Sequence, residues 1–377
     1  MTDNDELLPF MWAKAKPSII MVAGIGGGGG NAVNYMYHQG IRDVTFMACN
    51  TDRQALDRLQ IPNKIQLGNG LGAGNDPEKG RALAEENIEQ IIETFQKHDT
   101  QMVFITAGMG GGTGTGASPV IARTAKEMGI LTVAIVTLPF AFEGPVRLKQ
   151  AQQGIDNMKE CVDALLLINN ENIVNLYGDL VISKAFGWAD DILATAAKGI
   201  AEMISVDWYV AVDFADVKAV MKDSGVALMG SAQGNGENRA DEVTREALNS
   251  PLLNHQKLSG AQKVLVSITY GDKEITMAET GRIANFIQQQ TGNSANLIWG
   301  AGKDDSLVED IKITVIATGY GNSLIEKIHP ETFQENSHEE PTSFEDEELD
   351  HPKEKKQSWL DNMKKRLIAV FDDDYEN

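Results

Sequence analysis

The first half of the chain alternates short apolar runs with segments of helical spacing. Five runs contain almost no polar residue, which is typical of strands in a parallel sheet covered on both faces. These predicted strands are Ile19–Val22, Val44–Ala48, Met102–Ile105, Leu131–Val136 and Ala164–Ile168. Helices are predicted between them, for example Pro77–Lys97 and Pro119–Met128. The pattern predicts α/β architecture with a doubly wound, mostly parallel sheet, in which ligands bind at the carboxyl ends of the strands.

The second half groups its elements differently. A long helix is predicted from Asp190 to about Ile204, where apolar residues recur at helical spacing. The segments after it are an apolar run Val226–Met229, helices Val217–Met221, Asp241–Leu248 and Thr276–Gln289, and strands Val264–Tyr270, Ala295–Trp299 and Ile311–Ala317. We therefore expect a long central helix followed by a second, smaller α+β domain.

Six segments are predicted along the chain. They are a flexible N-terminal segment 1–17, a ligand-binding domain 18–182, a central helix and loop 183–217, a C-terminal α+β domain 218–321, an acidic linker 322–356 and an amphipathic C-terminal tail 357–377. The linker prediction rests on charge, because residues 331–350 contain nine acidic and no basic side chains.

Composition narrows the class of protein. A chain of 377 residues with 42% hydrophobic residues can fill a large core, which excludes wholesale disorder. The net charge of −21 argues against nucleic acid as a partner, because phosphate backbones need a basic face. Two cysteines, Cys49 and Cys161, cannot form a disulfide framework and favour a reducing cytoplasm. We expect no signal peptide and no direct membrane span, because the N-terminus is acidic and no apolar run approaches about 20 residues.

The first candidate site is the glycine run Gly24–Gly30, which follows a predicted strand and opens a helix. Glycines let the backbone approach a phosphate, and a helix N-terminus offers unpaired N–H groups. The run satisfies the dinucleotide-binding pattern GxGxxG, and Asp52 stands roughly where a ribose-binding acid would lie. A tight strand–helix turn is the alternative interpretation of this run taken alone.

The second glycine run, Gly108–Gly116, is more specific. It also follows a strand and opens a helix, and it adds the hydroxyl groups of Thr113 and Thr115. Two such loops can wrap one polyphosphate, whereas a dinucleotide-dependent dehydrogenase has no use for the second. No P-loop lysine is present, so the phosphate charge must be met by backbone dipoles and a cation.

Residues Gly110–Gly116 match the signature motif of the tubulin/FtsZ family. The chain resembles the FtsZ branch of this family, bacterial cell-division GTPases, from about Ser18 to Gly321. Further matching motifs, in the family's order, are Asn50-Thr51-Asp52, Leu71–Asn75, Phe142–Gly144, Asn170, Phe186 and Asp213–Val217. The resemblance implies a cytoplasmic GTPase at the division site, with GTP or GDP and a nucleotide-bound Mg²⁺ as cofactors.

The resemblance also implies a set of nucleotide-binding residues. Those around the phosphates are Gly26, Gly27, Gly28, Asn31, Asn50, Ala73, Gly74, Asn75, Gly110, Gly111, Gly112, Thr113 and Gly114. Glu143 and Arg147 would reach the ribose from one side of a helical turn, Asn170 and Asp190 would bind the guanine edge, and Phe186 would stack on it. A carboxylate suits guanine, which presents two donors, N1–H and N2–H. Taken singly, Asp190 has an alternative role as a helix N-cap, and Phe186 as a core residue.

Asp213 and Asp216 are the catalytic residues that the resemblance implies. They would act on the GTP of the next subunit, so the partner is a second copy in a head-to-tail filament. An alternative role for the two is a capping pair for the helix near Val217. The tail is expected to bind membrane-tethering or regulatory division proteins as a helix, with an interfacial membrane helix or a helix folded back on the body as alternatives.

Three departures from the family pattern bear on activity. Ala211 stands where an asparagine is typical, Tyr35 where arginine is common, and Pro145-Val146 where basic residues often stand. An alanine cannot hydrogen-bond phosphate or water, so we expect slower GTP hydrolysis than usual. The alternative function is a divergent nucleotide-binding polymer or division regulator with weak hydrolysis.

Overall fold

A computed structural model describes residues 18–41, 43–171, 181–205, 210, 212–250 and 258–320. The predictions for the N-terminal segment, the acidic linker and the C-terminal tail concern residues outside these ranges. Ala211 also lies outside them. Within the described ranges, no helix is long and apolar enough to cross a membrane.

The described strands and helices follow the chain in an alternating order. The strands are β1 Ile20–Ile25, β2 Thr45–Asn50, β3 Asn63–Gln66, β4 Met102–Gly108, β5 Leu131–Leu138, β6 Ala164–Asn169, β7 Gly225–Gly234, β8 Lys263–Tyr270, β9 Asn296–Lys303 and β10 Ile311–Thr318. The helices are α1 Gly26–His38, α2 Arg53–Arg58, α3 Pro77–Glu86, α4 Ile88–Lys97, α5 Gly112–Glu127, α6 Pro145–Cys161, α7 Ile182–Ser205, α8 Phe214–Met221, α9 Arg239–Leu248 and α10 Met277–Gln290.

All ten described strands join one sheet, in the order β3-β2-β1-β4-β5-β6-β7-β10-β8-β9. The strands from β3 to β7 are parallel to their neighbours, β10 is antiparallel to both β7 and β8, and β9 is parallel to β8. The prediction of an α/β fold with a mostly parallel sheet in the first half is confirmed. The sheet continues into the second half because β7 pairs with β6 at Ala164 and Gly225.

Alternating residues of β1 belong to two different cores. Ile20 and Val22 lie in one apolar cluster, and Met21 and Ala23 lie in the other. The unbroken apolar runs therefore arise because both faces of the parallel sheet are covered. A third cluster lies on the strands of the second half with α9 and α10.

Several predicted bounds were wrong. The segment Pro77–Lys97 is two helices separated at Asn87, whose side-chain amide donates to Leu83 O at 2.8 Å. Helix α5 begins at Gly112, seven residues before Pro119, which lies inside it and is buried. The four-residue strand β3 has the sequence NKIQ, too short and polar to give an apolar run.

The central helix α7 begins at Ile182, eight residues before the predicted start at Asp190. Asp190 is therefore inside the helix, and its alternative interpretation as an N-cap is wrong. The side chains of Leu193, Ala197 and Ile200 are buried in the cluster that also holds Leu265 of β8 and Ile316 of β10. The helix thus packs against strands of both halves of the sheet.

Candidate functional site

The two glycine loops lie side by side, because they follow the neighbouring strands β1 and β4. A Cβ added to Gly26, whose φ is +75°, would lie 2.8 Å from Gly114 N, and one added to Gly29 would lie 2.2 Å from Thr106 O. Side chains at these positions would force the loops apart. The glycines therefore allow the N-termini of α1 and α5 to meet at the carboxyl ends of the parallel strands.

Neither of these two helix N-termini has a side-chain cap or an acidic residue in its first turn. By contrast, Asp76 caps α3 by accepting from Glu78 N at 3.0 Å, and Thr276 caps α10. Uncapped N-termini present backbone N–H groups and the positive ends of two helix dipoles. This arrangement suits a polyphosphate, which needs donors and positive potential without a lysine.

A third loop, between β3 and α3, packs on the start of α5. A Cβ on Gly112 would lie 2.9 Å from the Cβ of Ala73 and 2.8 Å from Asp76 N. Gly74 and Asn75 in this loop have φ values of +65° and +61°, which turn the chain sharply over the helix N-terminus.

Thr51 connects this third loop to the second glycine loop. Its Oγ1 lies 2.6 Å from Thr113 Oγ1, and its carbonyl accepts from Gly72 N at 2.9 Å. The neighbouring Asn50 is buried, and its Oδ1 accepts from Asp52 N at 3.1 Å. Both residues belong to predicted motifs, but nothing in the sequence indicated the contact between Thr51 and Thr113.

Glu143 and Arg147 form an ion pair. They are not on one helical turn as predicted, because Gly144, with φ +96°, separates the 3₁₀ turn Ala141–Glu143 from α6. Glu143 Oε1 also accepts from Phe140 N at 2.9 Å, and Glu171 Oε2 accepts from Ala141 N at 3.0 Å. The sequence interpretation missed Glu171, which holds this turn from the end of β6.

Asn170 and Asp190 are the two predicted base-binding groups with described side chains. Asn170 is 5% exposed, and its Oδ1 has no hydrogen-bond partner within the described ranges. An orphaned buried acceptor costs free energy unless a ligand supplies a donor. Phe186 lies in α7, but its side chain is outside the described part of the structure.

The pKa of the Asp190 carboxyl group is shifted from its ordinary value. Burial raises its pKa to about 7, and the adjacent Asp191 adds to the rise. Tyr35 of α1 donates from its hydroxyl to Asp191 Oδ1 at 3.0 Å, and burial together with these two carboxylates raises the pKa of Tyr35. This contact holds the first half of α7 against the helix that carries the first glycine loop.

Asp213 and Asp216 cap α8 reciprocally. Asp216 N donates to Asp213 Oδ1 at 2.8 Å, and Asp213 N donates to Asp216 Oδ2 at 3.2 Å. Their interpretation as a capping pair is confirmed. It leaves their catalytic role open, because each carboxylate has a second oxygen.

The two aspartates lie far from the glycine loops of their own chain. From Asp191 to Ser205, α7 extends about 21 Å at 1.5 Å per residue. Val210, three residues before Asp213, pairs with Ala301 of β9, which lies six strands from β4 and seven from β1 in the sheet order. Neighbouring strands are about 4.8 Å apart, so the glycine loops after β1 and β4 are several strand widths away from this pairing.

Family models match most of the described chain. Residues 19–178 match the GTPase domain of the Tubulin/FtsZ family, and residues 225–321 match the C-terminal domain of the FtsZ family. The chain belongs to the tubulin/FtsZ family. Its first half is thus a GTPase domain of that family, and the second glycine run lies within it.

Relatives and solved structures agree with this assignment. The chain is 46% identical over 322 residues to the cell division protein FtsZ of Porphyromonas gingivalis, covering 84% of this chain and 70% of the relative. It is 46% identical over 315 residues to that of Pseudomonas aeruginosa, covering 82% and 79%. An FtsZ dimer of M. jannaschii matches with a TM-score of 0.75 and 39% identity, covering 82% and 90%. CetZ1 from Haloferax volcanii, at 22% identity and a TM-score of 0.71, shares the fold.

Proposed function

We propose that this protein acts in bacterial cell division. It binds GTP at the glycine loops, polymerises head-to-tail and hydrolyses GTP where two subunits meet. The observation that carries the proposal is the separation of Asp213 and Asp216, which follow the pairing with β9, from the glycine loops after β1 and β4 of the same chain. Carboxylates near β9 and a phosphate site at the ends of β1 and β4 become one site only when a second copy docks. Such a heterologous contact does not close on itself and forms a filament.

The phosphates are proposed to lie on the N-termini of α1 and α5, with the loop Ala73–Asn75 over the terminal phosphate. Glu143 and Arg147 hold the ribose, while Asn170 and Asp190 accept the donors of guanine. Uncapped helix ends and the orphaned Asn170 Oδ1 fit these roles. No group of three or more metal-binding side chains occurs in the described ranges, so phosphate oxygens and water are proposed to hold Mg²⁺. Bound there, Mg²⁺ neutralises phosphate charge.

In the proposed mechanism, the chain contributes placement and electrostatics. The glycine loops fix the phosphates, and the approaching subunit brings its Asp213 and Asp216 to orient the attacking water. The hydrogen bonds within the pair keep both carboxylates at the start of α8. Each aspartate uses one oxygen for capping and has the other for water.

Exposed apolar side chains support a contact surface at the nucleotide edge. Leu71 and Phe142 are 83% and 69% exposed on the loops that carry Ala73–Asn75 and Glu143. Val146 lies in the first turn of α6, Val181 precedes α7, and both are also exposed. These four are among seven exposed large apolar side chains in the described ranges, and exposed apolar side chains on such loops favour a protein–protein interface.

The second candidate function is a nucleotide-binding polymer or regulator with weak hydrolysis. Ala211, at a position where the family pattern has asparagine, favours it. For either function, we propose a location at the division site in the cytoplasm. The tail 357–377 is proposed to dock on membrane-tethering or regulatory proteins.

Phosphate release measured across protein concentration tests the proposal. We expect the activity per subunit to rise steeply above a critical concentration, because the site needs two subunits. Electron microscopy is expected to show filaments with GTP and none with GDP. Activity strictly proportional to concentration, without polymers, would contradict the proposal, whereas GTP-dependent polymers with little phosphate release would favour the second candidate.

A further inference from the structure

The residues that precede Asp213 pair with the edge of the sheet. Val210 N donates to Ala301 O at 3.1 Å, and Ala301 N donates to Val210 O at 3.2 Å. Ala301 belongs to β9, the last strand in the sheet order, whose other edge is occupied by β8. Val210 therefore pairs, in an antiparallel bridge, with the edge of β9 that no other described strand occupies.

Gly300 provides the room for this contact. A Cβ at position 300 would lie 2.6 Å from Val212 Cγ2 and 2.9 Å from Val210 O. Both distances are shorter than ordinary van der Waals contact, so any side chain there must displace the loop. Val212 is 4% exposed and belongs to the core cluster that α7 and α8 share. Because Val212 is held in this core, the backbone position of the next residue, Asp213, is held as well.

The end of α7 is attached to the same half of the sheet. Glu202 Oε2 lies 3.4 Å from Lys312 Nζ of β10. A Cβ on Gly199 would lie 2.9 Å from Met229 Cε and 3.3 Å from Thr314 Cγ2, so the helix packs closely on β7 and β10. Strands of the second half thus hold the chain both before residues 206–209 and after them.

We infer that β9 positions the hydrolytic aspartates, and that Gly300 is a positioning residue for GTP hydrolysis in the neighbouring subunit. The inference rests on the proposed function, in which Asp213 and Asp216 complete the site on the next copy. The bridge at Val210 and the close contact at Gly300 set where these carboxylates stand before a neighbour binds. Gly300 is remote from the glycine loops, so it acts on hydrolysis and not on the chain's own nucleotide.

The substitution Gly300→Ala tests this inference. We expect GTP affinity to stay within about twofold of wild type, while phosphate release at saturating GTP falls at least about tenfold. Gly281→Ala is the matched control, because a Cβ on Gly281 of α10 meets nothing within 4 Å. Both variants are compared with wild type by thermal unfolding as well. A loss of hydrolysis that comes with an equal loss of GTP affinity would indicate general damage and overturn the inference.

A second substitution gives a rescue. Val212→Ala removes the Cγ2 atom nearest to the added methyl group, so Gly300→Ala with Val212→Ala is expected to hydrolyse GTP at least about threefold faster than Gly300→Ala alone. Purely additive damage would make the double variant worse than either single one, which would contradict the inference. If wild type hydrolyses GTP cooperatively and Gly300→Ala does so at the same rate, the inference fails while the proposed function stands. If wild type shows no concentration-dependent hydrolysis, the proposed function itself fails, and the inference that rests on it fails with it.

Discussion

Asp190 combines two opposing requirements in one carboxyl group. Burial and the adjacent Asp191 raise its pKa from near 3.8 to about 7, so in the free protein it holds a proton over most of the acidic range. Guanine offers donors at N1 and N2, which only the ionised carboxylate accepts fully. In its proposed role, Asp190 must therefore lose its proton when the base binds.

GTP affinity is therefore expected to rise with pH. With a pKa near 7, the ionised fraction of Asp190 grows about tenfold between pH 6 and pH 8, and the association constant should grow by about the same factor. Titrations with a fluorescent GTP analogue measure this. Asp190→Asn is the control, which should bind more weakly and lose most of the dependence. A flat profile in wild type would contradict the role of Asp190.

The stability of the free protein should change in the opposite direction. A carboxyl group whose pKa is raised by folding binds protons more tightly in the native state than in the unfolded one. Its contribution is therefore most favourable in acid and is lost as the pH rises from about 4 to about 7. If Asp190 has the proposed role, the ionised form that binds guanine is the form that is less favourable in the empty site.

Ala211 offers a gain-of-function prediction. Ala211→Asn restores a polar side chain two residues before Asp213, and it should raise phosphate release per assembled subunit by about tenfold, because one well-placed donor is worth that much or more in phosphate and acyl transfer. GTP affinity is expected to stay unchanged. Steady-state assays of phosphate release above the critical concentration measure this effect. Ala211→Ser, which adds a shorter polar side chain, should give a smaller increase. No increase would mean that another feature limits turnover.

At the level of elements, the second half depends on a buried ion pair between two helices. Arg239 of α9 is fully buried, and its Nε donates to Glu279 Oε1 of α10 at 2.9 Å. Its other nitrogens donate to Lys273 O at 3.0 Å and Glu274 O at 2.9 Å, in the loop after β8. Burial alone would raise the pKa of Glu279, but the hydrogen bonds from Arg239 and Thr276 outweigh it and lower the pKa to about 2.

Glu279→Gln is expected to lower the free energy of unfolding by about 3 to 5 kcal/mol, because it leaves a buried guanidinium without its counter-charge. Wild type should lose the same contribution as the pH falls from about 4.5 to about 2, since the carboxylate is ionised only above that window. Denaturant titrations at pH 7 measure the first effect. Glu85→Gln is the control, because its ion pair with Arg81 is exposed and should contribute little.

The strands were easier to predict than the helix bounds, for a physical reason. A strand covered on both faces is mostly apolar, as Leu131–Leu138 is apart from two threonines, so the run itself marks the element. The start of α5 depends on contacts instead: a Cβ on Gly116 would lie 1.9 Å from Pro77 O of α3. Glycine lowers helix propensity, so the sequence favoured a later start, but close packing of α3 on α5 overrides that preference.

The site was predictable to the extent that its residues lie in contiguous motifs. The two glycine runs indicated phosphate binding from their position after strands, and the structure brings them together at one edge. Contacts between distant positions were not predictable, such as Thr51 with Thr113 or Val210 with Ala301. Such contacts depend on which strands become neighbours in the sheet, and no local sequence pattern indicates this order.

At the level of the whole molecule, the proposed function divides one reaction between two places, the glycine loops after β1 and β4 and the aspartates that follow the pairing with β9. Helix α7 links them, from the contact of Asp191 with Tyr35 of α1, the helix that begins in the first glycine loop, to the salt bridge of Glu202 with Lys312. In this proposal, a single copy presents a phosphate site without its aspartates and a pair of aspartates without a phosphate. Acidity does not oppose this arrangement, because backbone N–H groups meet the phosphate charge.

Mixing two inactive variants tests this division of labour. Gly26→Ala should block the phosphate site, because its Cβ would lie 2.8 Å from Gly114 N, but it keeps the aspartates. Asp213→Asn keeps GTP binding and the helix cap but loses the charge. In an equimolar mixture, random head-to-tail pairing makes up to about a quarter of the junctions complete. Phosphate release should therefore reappear in the mixture, although each variant alone shows almost none. A site contained within one chain would leave the mixture as inactive as its parts, because neither variant holds both halves.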